Sequence, residues 1–239
     1  MKLVTIIMAG GSGRRFWPLS RESRAKQSLA LFSERTLLAQ TIERIQPLCD
    51  DVTVVSSVKQ KKSIDQDVRA FKNTGVIYEP SGRNTAPCIM LALHAIKAKN
   101  KEDCAVLVLP ADHFIQDSES FRKTVSKGVK YLSEHTESIG TIGIEPAYPE
   151  IGFGYIRKNK MIKDGIFSVK SFEEKPALEK AKLFVESGNY LWNAGIFLFS
   201  LDTMLNEFRT VNPDIYETVV KINSFNAIDA AGYNSVRSI

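Results

Sequence analysis

Hydrophobic and polar positions divide this chain into two kinds of segment. Short apolar runs at residues 3–8, 52–56, 75–78 and 105–109 are rich in β-branched side chains and too brief for helices, so each reads as a buried strand. Between them apolar positions recur at helical spacing. Leu38, Ile42 and Ile45 mark one helix closed by Pro47, and a polar helix is expected over 59–71. Ile89, Ala92, Leu93 and Ile96 fall at i, i+3, i+4 and i+7, predicting an amphipathic helix with Thr85 as its N-cap and Pro87 in its first turn. Phe121, Val125 and Val129 mark another. This βαβα alternation predicts an α/β fold with a Rossmann-like, doubly wound, mostly parallel sheet, the unbroken run 105–109 lying at its centre.

From about Ser138 the texture changes. Strand-like pieces at 139–143, 154–157, 166–172 and 196–199 crowd together with glycines and prolines between them, which predicts a mixed or antiparallel extension. Helices are expected at 178–187, 201–208 and 214–222. No linker composition interrupts the chain, so it reads as a single domain over 1–239 with halves at 1–137 and 138–239.

With 239 residues, 44% of them hydrophobic, the chain can bury a substantial core. The 32 Lys and Arg against 27 Asp and Glu leave a formal charge of +5, but the cations are dispersed and form no basic stripe with interleaved aromatics. That pattern argues against nucleic acid and fits an anionic small molecule. Cys49, Cys88 and Cys104 have no metal-ligand spacing and are odd in number, as expected of reduced thiols in a cytoplasmic protein. The N-terminal apolar run is too short for a signal sequence, and no stretch is long enough to span a membrane. Assembly into a homo-oligomer is compatible with the sequence and not specified by it.

In an open α/β sheet ligands bind beyond the carboxyl ends of the strands, and polar motifs recur there. Gly10, Gly11 and Gly13 follow the first strand, with Arg15 and Lys26 beyond them. Backbone amides without Cβ atoms in the way, plus two separated cations, suit a triphosphate. A P-loop is excluded because no Lys-Ser/Thr pair follows the glycines, and a dinucleotide fingerprint because Phe16 stands three residues after Gly13. Three glycines by themselves are equally compatible with an ordinary tight turn. The stretch 79–87 follows the third strand, where Glu79 and Asn84 offer acceptor and donor groups for a purine, or simply form a polar loop. Asp112 follows the central strand, placed to hold Mg²⁺ together with substrate phosphates or to cap a turn. His113 beside it suits loop packing as well as it suits a base, and His94 and His135 add no metal-ligand spacing.

The run Gly-Gly-Ser-Gly-Arg-Arg-Phe-Trp-Pro-Leu-Ser at 10–20, followed by Lys26-Gln27, resembles the signature of the sugar-nucleotide pyrophosphorylases, in particular the mannose-1-phosphate guanylyltransferase branch. Ala25 stands where that family has proline before the lysine. Four further stretches resemble the family in the same order. They are Glu-Pro-Ser-Gly-Arg-Asn-Thr-Ala-Pro at 79–87, Leu-Pro-Ala-Asp-His at 109–113, Phe-Glu-Glu-Lys-Pro at 172–176 and Trp-Asn-Ala-Gly-Ile-Phe at 192–197. Gly152-Phe153-Gly154-Tyr155-Ile156 is similar to its sugar loop, with Phe153 in place of a tyrosine.

The resemblance implies a nucleotidyltransferase that forms GDP-mannose and pyrophosphate from GTP and α-D-mannose 1-phosphate, with Mg²⁺ on Asp112. It implies Arg15 on the departing phosphates, Lys26 near the α-phosphate and Lys175 on the sugar phosphate. Gly10, Gly11, Gly13, Glu79, Arg83, Asn84 and Thr85 would contact the nucleotide, and Gly154, Tyr155, Glu174 and Asn193 the sugar. It further implies that both substrates lie along one crevice, and that a second metal-binding aspartate follows Ile239, so that these residues are a fragment of a longer chain. Bifunctional members continue into an isomerase domain. Two other readings stay open: a pyrophosphorylase for another nucleotide and hexose 1-phosphate, and a non-catalytic subunit that binds a sugar nucleotide.

Overall fold

A computed structural model of the chain describes residues 1–11, 16–21, 24–100, 102–222, 225 and 233. They fall into two compact units, one of residues 1–139 with 198–239 and the other of residues 140–197.

The first unit is built on four parallel strands in the order β3-β2-β1-β4, namely β1 (Leu3–Ala9), β2 (Asp51–Ser57), β3 (Thr74–Glu79) and β4 (Ala105–Pro110). Ile6, Ile7, Val54, Val55 and the run from Ala105 to Val108 are excluded from solvent, as their uninterrupted apolar character requires of strands covered on both faces. Helices α1 (Leu37–Ile45), α2 (Lys61–Val68), α3 (Thr85–Lys99) and α4 (Ser118–Glu134) connect and flank them. Thr36 caps α1 by accepting from the Ala39 amide at 3.1 Å, and Asp117 caps α4 through the Ser120 amide at 2.9 Å.

Three expectations are corrected here. The polar helix is shorter than 59–71, because Ser57 accepts from the Lys59 amide and residues 58–60 form a separate 3₁₀ turn before α2. Thr85 is not the N-cap of α3 but its first helical residue; Asn84 precedes it as the N-cap, with φ of 69° and ψ of −171°, a backbone conformation that favours glycine. Nor is α3 amphipathic: every residue from Pro87 to Ile96 except His94 is buried, because α6 (Leu201–Val211) and α7 (Pro213–Val219) pack on the side that the sheet leaves open. His94 itself meets the Ile222 carbonyl at 3.1 Å.

The second unit carries β5 (Gly140–Ile144), β6 (Tyr155–Lys163), β7 (Ile166–Glu173), α5 (Leu178–Ser187) and most of β8 (Tyr190–Ser200). β6 pairs antiparallel with β7 and β8, and β5 pairs with β8, so the chain as a whole is an α/β fold with a mixed, mostly parallel sheet. Its core is Tyr155, Ala181, Phe184 and Trp192, with Tyr190 stacked on Phe184 at 3.8 Å between ring centroids. The strand expected at 196–199 begins at Tyr190, so Asn193 and Gly195 lie within β8 and not in a turn before it.

Candidate active site

The sheet of the first unit sets three motifs at its carboxyl edge. In register Ala9 stands beside Ser56, Met8 beside Pro110 and Ser57 beside Glu79, so the ends of β1, β3 and β4 are level. The chain leaves β1 as an exposed Gly10-Gly11 turn, and the Ala111 amide donates to the Met8 carbonyl at 3.0 Å, which holds the segment leading to Asp112 against the end of β1. Gly13 and Arg15, both expected on the phosphates, lie outside the described residues.

Lys26 opens a short 3₁₀ turn, and its Nζ lies 3.0 Å from Asp112 Oδ2 and 5.1 Å from the centre of the Phe16 ring. Both partners are partly exposed, so the pair is a weak contributor to stability but an available group of opposite charges. Asp112 Oδ1 has no hydrogen bond among the described residues. A hard oxygen donor with one oxygen unengaged fits Mg²⁺. Among the described residues no group of three or more His, Cys, Asp or Glu is placed to hold a metal. Burial pushes His113 below its usual range and keeps it neutral near pH 7.

Glu79 is enclosed at the end of β3, only 3% exposed. Its carboxyl accepts from the Tyr233 hydroxyl, and its Oε2 lies 3.6 Å from where a Cβ on Gly10 would stand. Burial raises its pKa to about 7, with the Tyr233 hydrogen bond opposing the shift. Beyond it Arg83 is half-buried, while Asn84 and Thr85 are exposed at the N-terminus of α3.

The second unit gathers the remaining candidates. The Asn193 amide donates to the Gly154 carbonyl at 2.8 Å, and Asn193 Oδ1 accepts from the Gly195 amide at 3.0 Å, where φ is 63°. A Cβ on Gly154 would come within 2.8 Å of Glu174 Oε2, so the bare backbone there is what admits the carboxylate. Lys175, left-handed at φ of 42°, sets its Nζ 2.6 Å from Glu174 Oε1. Tyr155 lies beneath this group. Its side chain is fully buried against Phe184, with the hydroxyl donating to the Glu150 carbonyl at 2.9 Å, so it packs in the core of this unit.

Sequence reasoning passed over Ser56 and Gln60. Both are polar residues buried beside the glycine turn, Ser56 in a run read only as a strand and Gln60 in a stretch read only as a polar helix.

A parallel sheet with a glycine turn, a lysine and an aspartate at its carboxyl edge is the frame of an enzyme that handles phosphates. The Nucleotidyl transferase family matches residues 4–230, and the chain belongs to it. It is 40% identical over 231 residues to a mannose-1-phosphate guanylyltransferase of Escherichia coli strain K12, covering 93% of this chain and 48% of that one. It is 39% identical over 220 residues to the mannose-1-phosphate guanylyltransferase of Salmonella muenchen, covering 90% and 46%. A crystal structure from Thermus thermophilus, described as a mannose-1-phosphate geranyltransferase, superposes with a TM-score of 0.84 at 32% identity, over 100% of this chain and 69% of that one. The chain thus spans about half the length of the curated relatives it matches.

Proposed function

We propose that this chain carries the nucleotidyl-transfer activity of a mannose-1-phosphate guanylyltransferase, forming GDP-mannose and pyrophosphate from GTP and α-D-mannose 1-phosphate. The observation that carries the reading is the Lys26–Asp112 pair beside the Gly10-Gly11 turn, on a chain 39–40% identical to proteins of that name. In the reaction a phosphate oxygen of mannose 1-phosphate attacks Pα of GTP, the bond from Pα to the bridging oxygen breaks, and pyrophosphate leaves with the electron pair. The nucleophile is already ionised near neutral pH, so no general base is needed, in keeping with a neutral His113.

Gly10, Gly11 and Gly13 would offer backbone amides to the triphosphate, Arg15 would steady the departing phosphates, and Lys26 would stabilise charge at the α-phosphate. Asp112 would hold a divalent cation, Mg²⁺ by its oxygen chemistry, which supplies charge neutralisation on the phosphates. Glu79, Arg83, Asn84 and Thr85 would border the base. Gly154, Glu174 and Asn193 would contact the hexose, and Lys175 its phosphate. The free thiols of Cys49, Cys88 and Cys104 support a reducing, cytoplasmic setting. Among the described residues no helix is long and apolar enough to cross a membrane.

Pyrophosphate release should be measured with GTP, UTP, dTTP and CTP against mannose 1-phosphate and glucose 1-phosphate. The highest kcat/KM is expected for GTP with mannose 1-phosphate. Preference for another pair would move the chain to a different pyrophosphorylase, and no release with any pair would overturn the reading.

A further inference from the structure

The Gly10-Gly11 turn is held from behind by three buried side chains that no phosphate would touch. Gln27, Gln60 and Ser56 are each at most 3% exposed. Gln27 Nε2 donates to the Ala9 carbonyl at 2.5 Å and to Gln60 Oε1 at 2.7 Å, with the Gly11 carbonyl at 3.3 Å. Gln60 Nε2 donates to the same Gly11 carbonyl at 3.3 Å. The Ser56 hydroxyl donates to the Ala9 carbonyl at 2.9 Å. The Ala9 carbonyl at the end of β1 and the Gly11 carbonyl just beyond it therefore receive donors from two stretches well separated in sequence: the 3₁₀ turn at Lys26–Ser28, and β2 with the 3₁₀ turn at Val58–Gln60 that follows it directly.

We infer that Gln27, Gln60 and Ser56 are positioning residues, a buried clamp that fixes the glycine turn in its phosphate-receiving orientation before a nucleotide arrives. The inference rests on the proposed nucleotidyl transfer for what the turn receives, but not for the existence of the clamp. A peptide unit is planar, so a donor on the Ala9 carbonyl also fixes the direction of the Gly10 amide, which points the opposite way. Glycines would otherwise sample many conformations, and ordering them at the moment of binding would weaken it. The clamp removes that freedom in advance with side chains whose own rotamers are locked by burial. It also couples the turn to Lys26, because Gln27 follows that lysine directly.

Gln60→Glu keeps the acceptor toward Gln27 and replaces the donor toward Gly11 with an oxygen. At neutral pH the ionised carboxyl would repel the Gly11 carbonyl, and protonation would restore a donor. In the full chain without nucleotide, amide hydrogen exchange is expected to speed up in the peptide covering residues 8–20 and to stay unchanged over β4. The KM for GTP is expected to rise about tenfold, as for a buried acceptor that loses its partner, while the KM for mannose 1-phosphate holds. Lowering the pH should recover GTP affinity in the variant but not in the unsubstituted protein. Ser56→Ala, which removes one donor without introducing charge, should show a smaller change in the same direction and serves if Gln60→Glu does not fold. Unchanged exchange in the turn would overturn the clamp, as would equal losses for both substrates with no recovery at low pH. If the unsubstituted chain turns over no nucleotide, the proposed function fails, while hydrogen exchange still decides the clamp.

Discussion

Lys26 and Asp112 stand 86 residues apart in the chain and 3.0 Å apart in space, the ammonium on one oxygen of a carboxylate just past the end of β4. The lysine engages Oδ2 of the carboxylate that, under the proposed function, would hold the cation, and it offers the positive charge a phosphate would seek. Binding of a metal-bound triphosphate would therefore redirect Lys26 from the carboxylate to the phosphates.

Removing the lysine should separate those two roles. Lys26→Met is expected to lower the Mg²⁺ concentration needed for half-maximal turnover, because Asp112 loses its competing cation, and to lower kcat by about a hundredfold through lost charge stabilisation. Asp112→Asn should raise the Mg²⁺ requirement and lower kcat together. Steady-state rates across a Mg²⁺ titration measure both, and unchanged kcat in either variant would contradict the assigned roles.

Gly154→Ala places a methyl group 2.8 Å from Glu174 Oε2. The carboxylate ends an exposed side chain and can swing away, so thermal stability should hold within about 0.5 kcal/mol. The KM for the sugar phosphate is expected to rise with the KM for GTP unchanged. A melting curve and two substrate titrations suffice, and loss of stability without a change in sugar-phosphate KM would assign Gly154 to packing alone.

The Glu79 carboxyl has a pKa raised to about 7 in the folded chain, against the lower value of a solvated glutamate. The folded state therefore holds a proton between those limits that the unfolded state has released, and stability falls as pH rises through this window. Its contribution is complete below the unfolded pKa and is lost as pH passes 7. Glu79→Gln should remove this dependence, and urea melts between pH 4 and 8 should show a difference between the two proteins changing by about 3 kcal/mol. A pH-independent difference would place the ionisation of Glu79 elsewhere.

Arg44 is a buried cation with little to hold it. It is 4% exposed, NH1 reaches Thr41 Oγ1 at 3.4 Å, and Nε finds no partner among the described residues. Burial lowers its pKa. Arg44→Met, which keeps length and removes the charge, is expected to be at least as stable as the parent by denaturant unfolding. Destabilisation of more than about 2 kcal/mol would reveal a partner for the guanidinium.

The placement of the candidate motifs at the ends of the strands was legible in the sequence. The end of each apolar run could be read from its residues, and the position of Asp112 after residues 105–109 followed from that. The burial of Tyr155 was not legible, because an aromatic in a glycine-flanked motif carries no mark of which face it takes. Pairing with Trp192 across β6 and β8 turns it inward. Thr85 was misread as a cap because it has the chemistry of one, whereas the chain turns into α3 at Asn84, whose φ is 69°.

The chain's apolar runs determined the parallel strands, because a strand covered on both faces cannot alternate with polar residues and remain buried. Its glycines and prolines likewise marked the turns, through backbone conformations that other residues resist. Only the tertiary structure decided that Lys26 meets Asp112, that Gln27 and Gln60 close on the Ala9 and Gly11 carbonyls, and that α6 and α7 seal α3. Periodicity records which side chains avoid water. A hydrogen bond between distant residues depends on strand order and register, which no local pattern encodes.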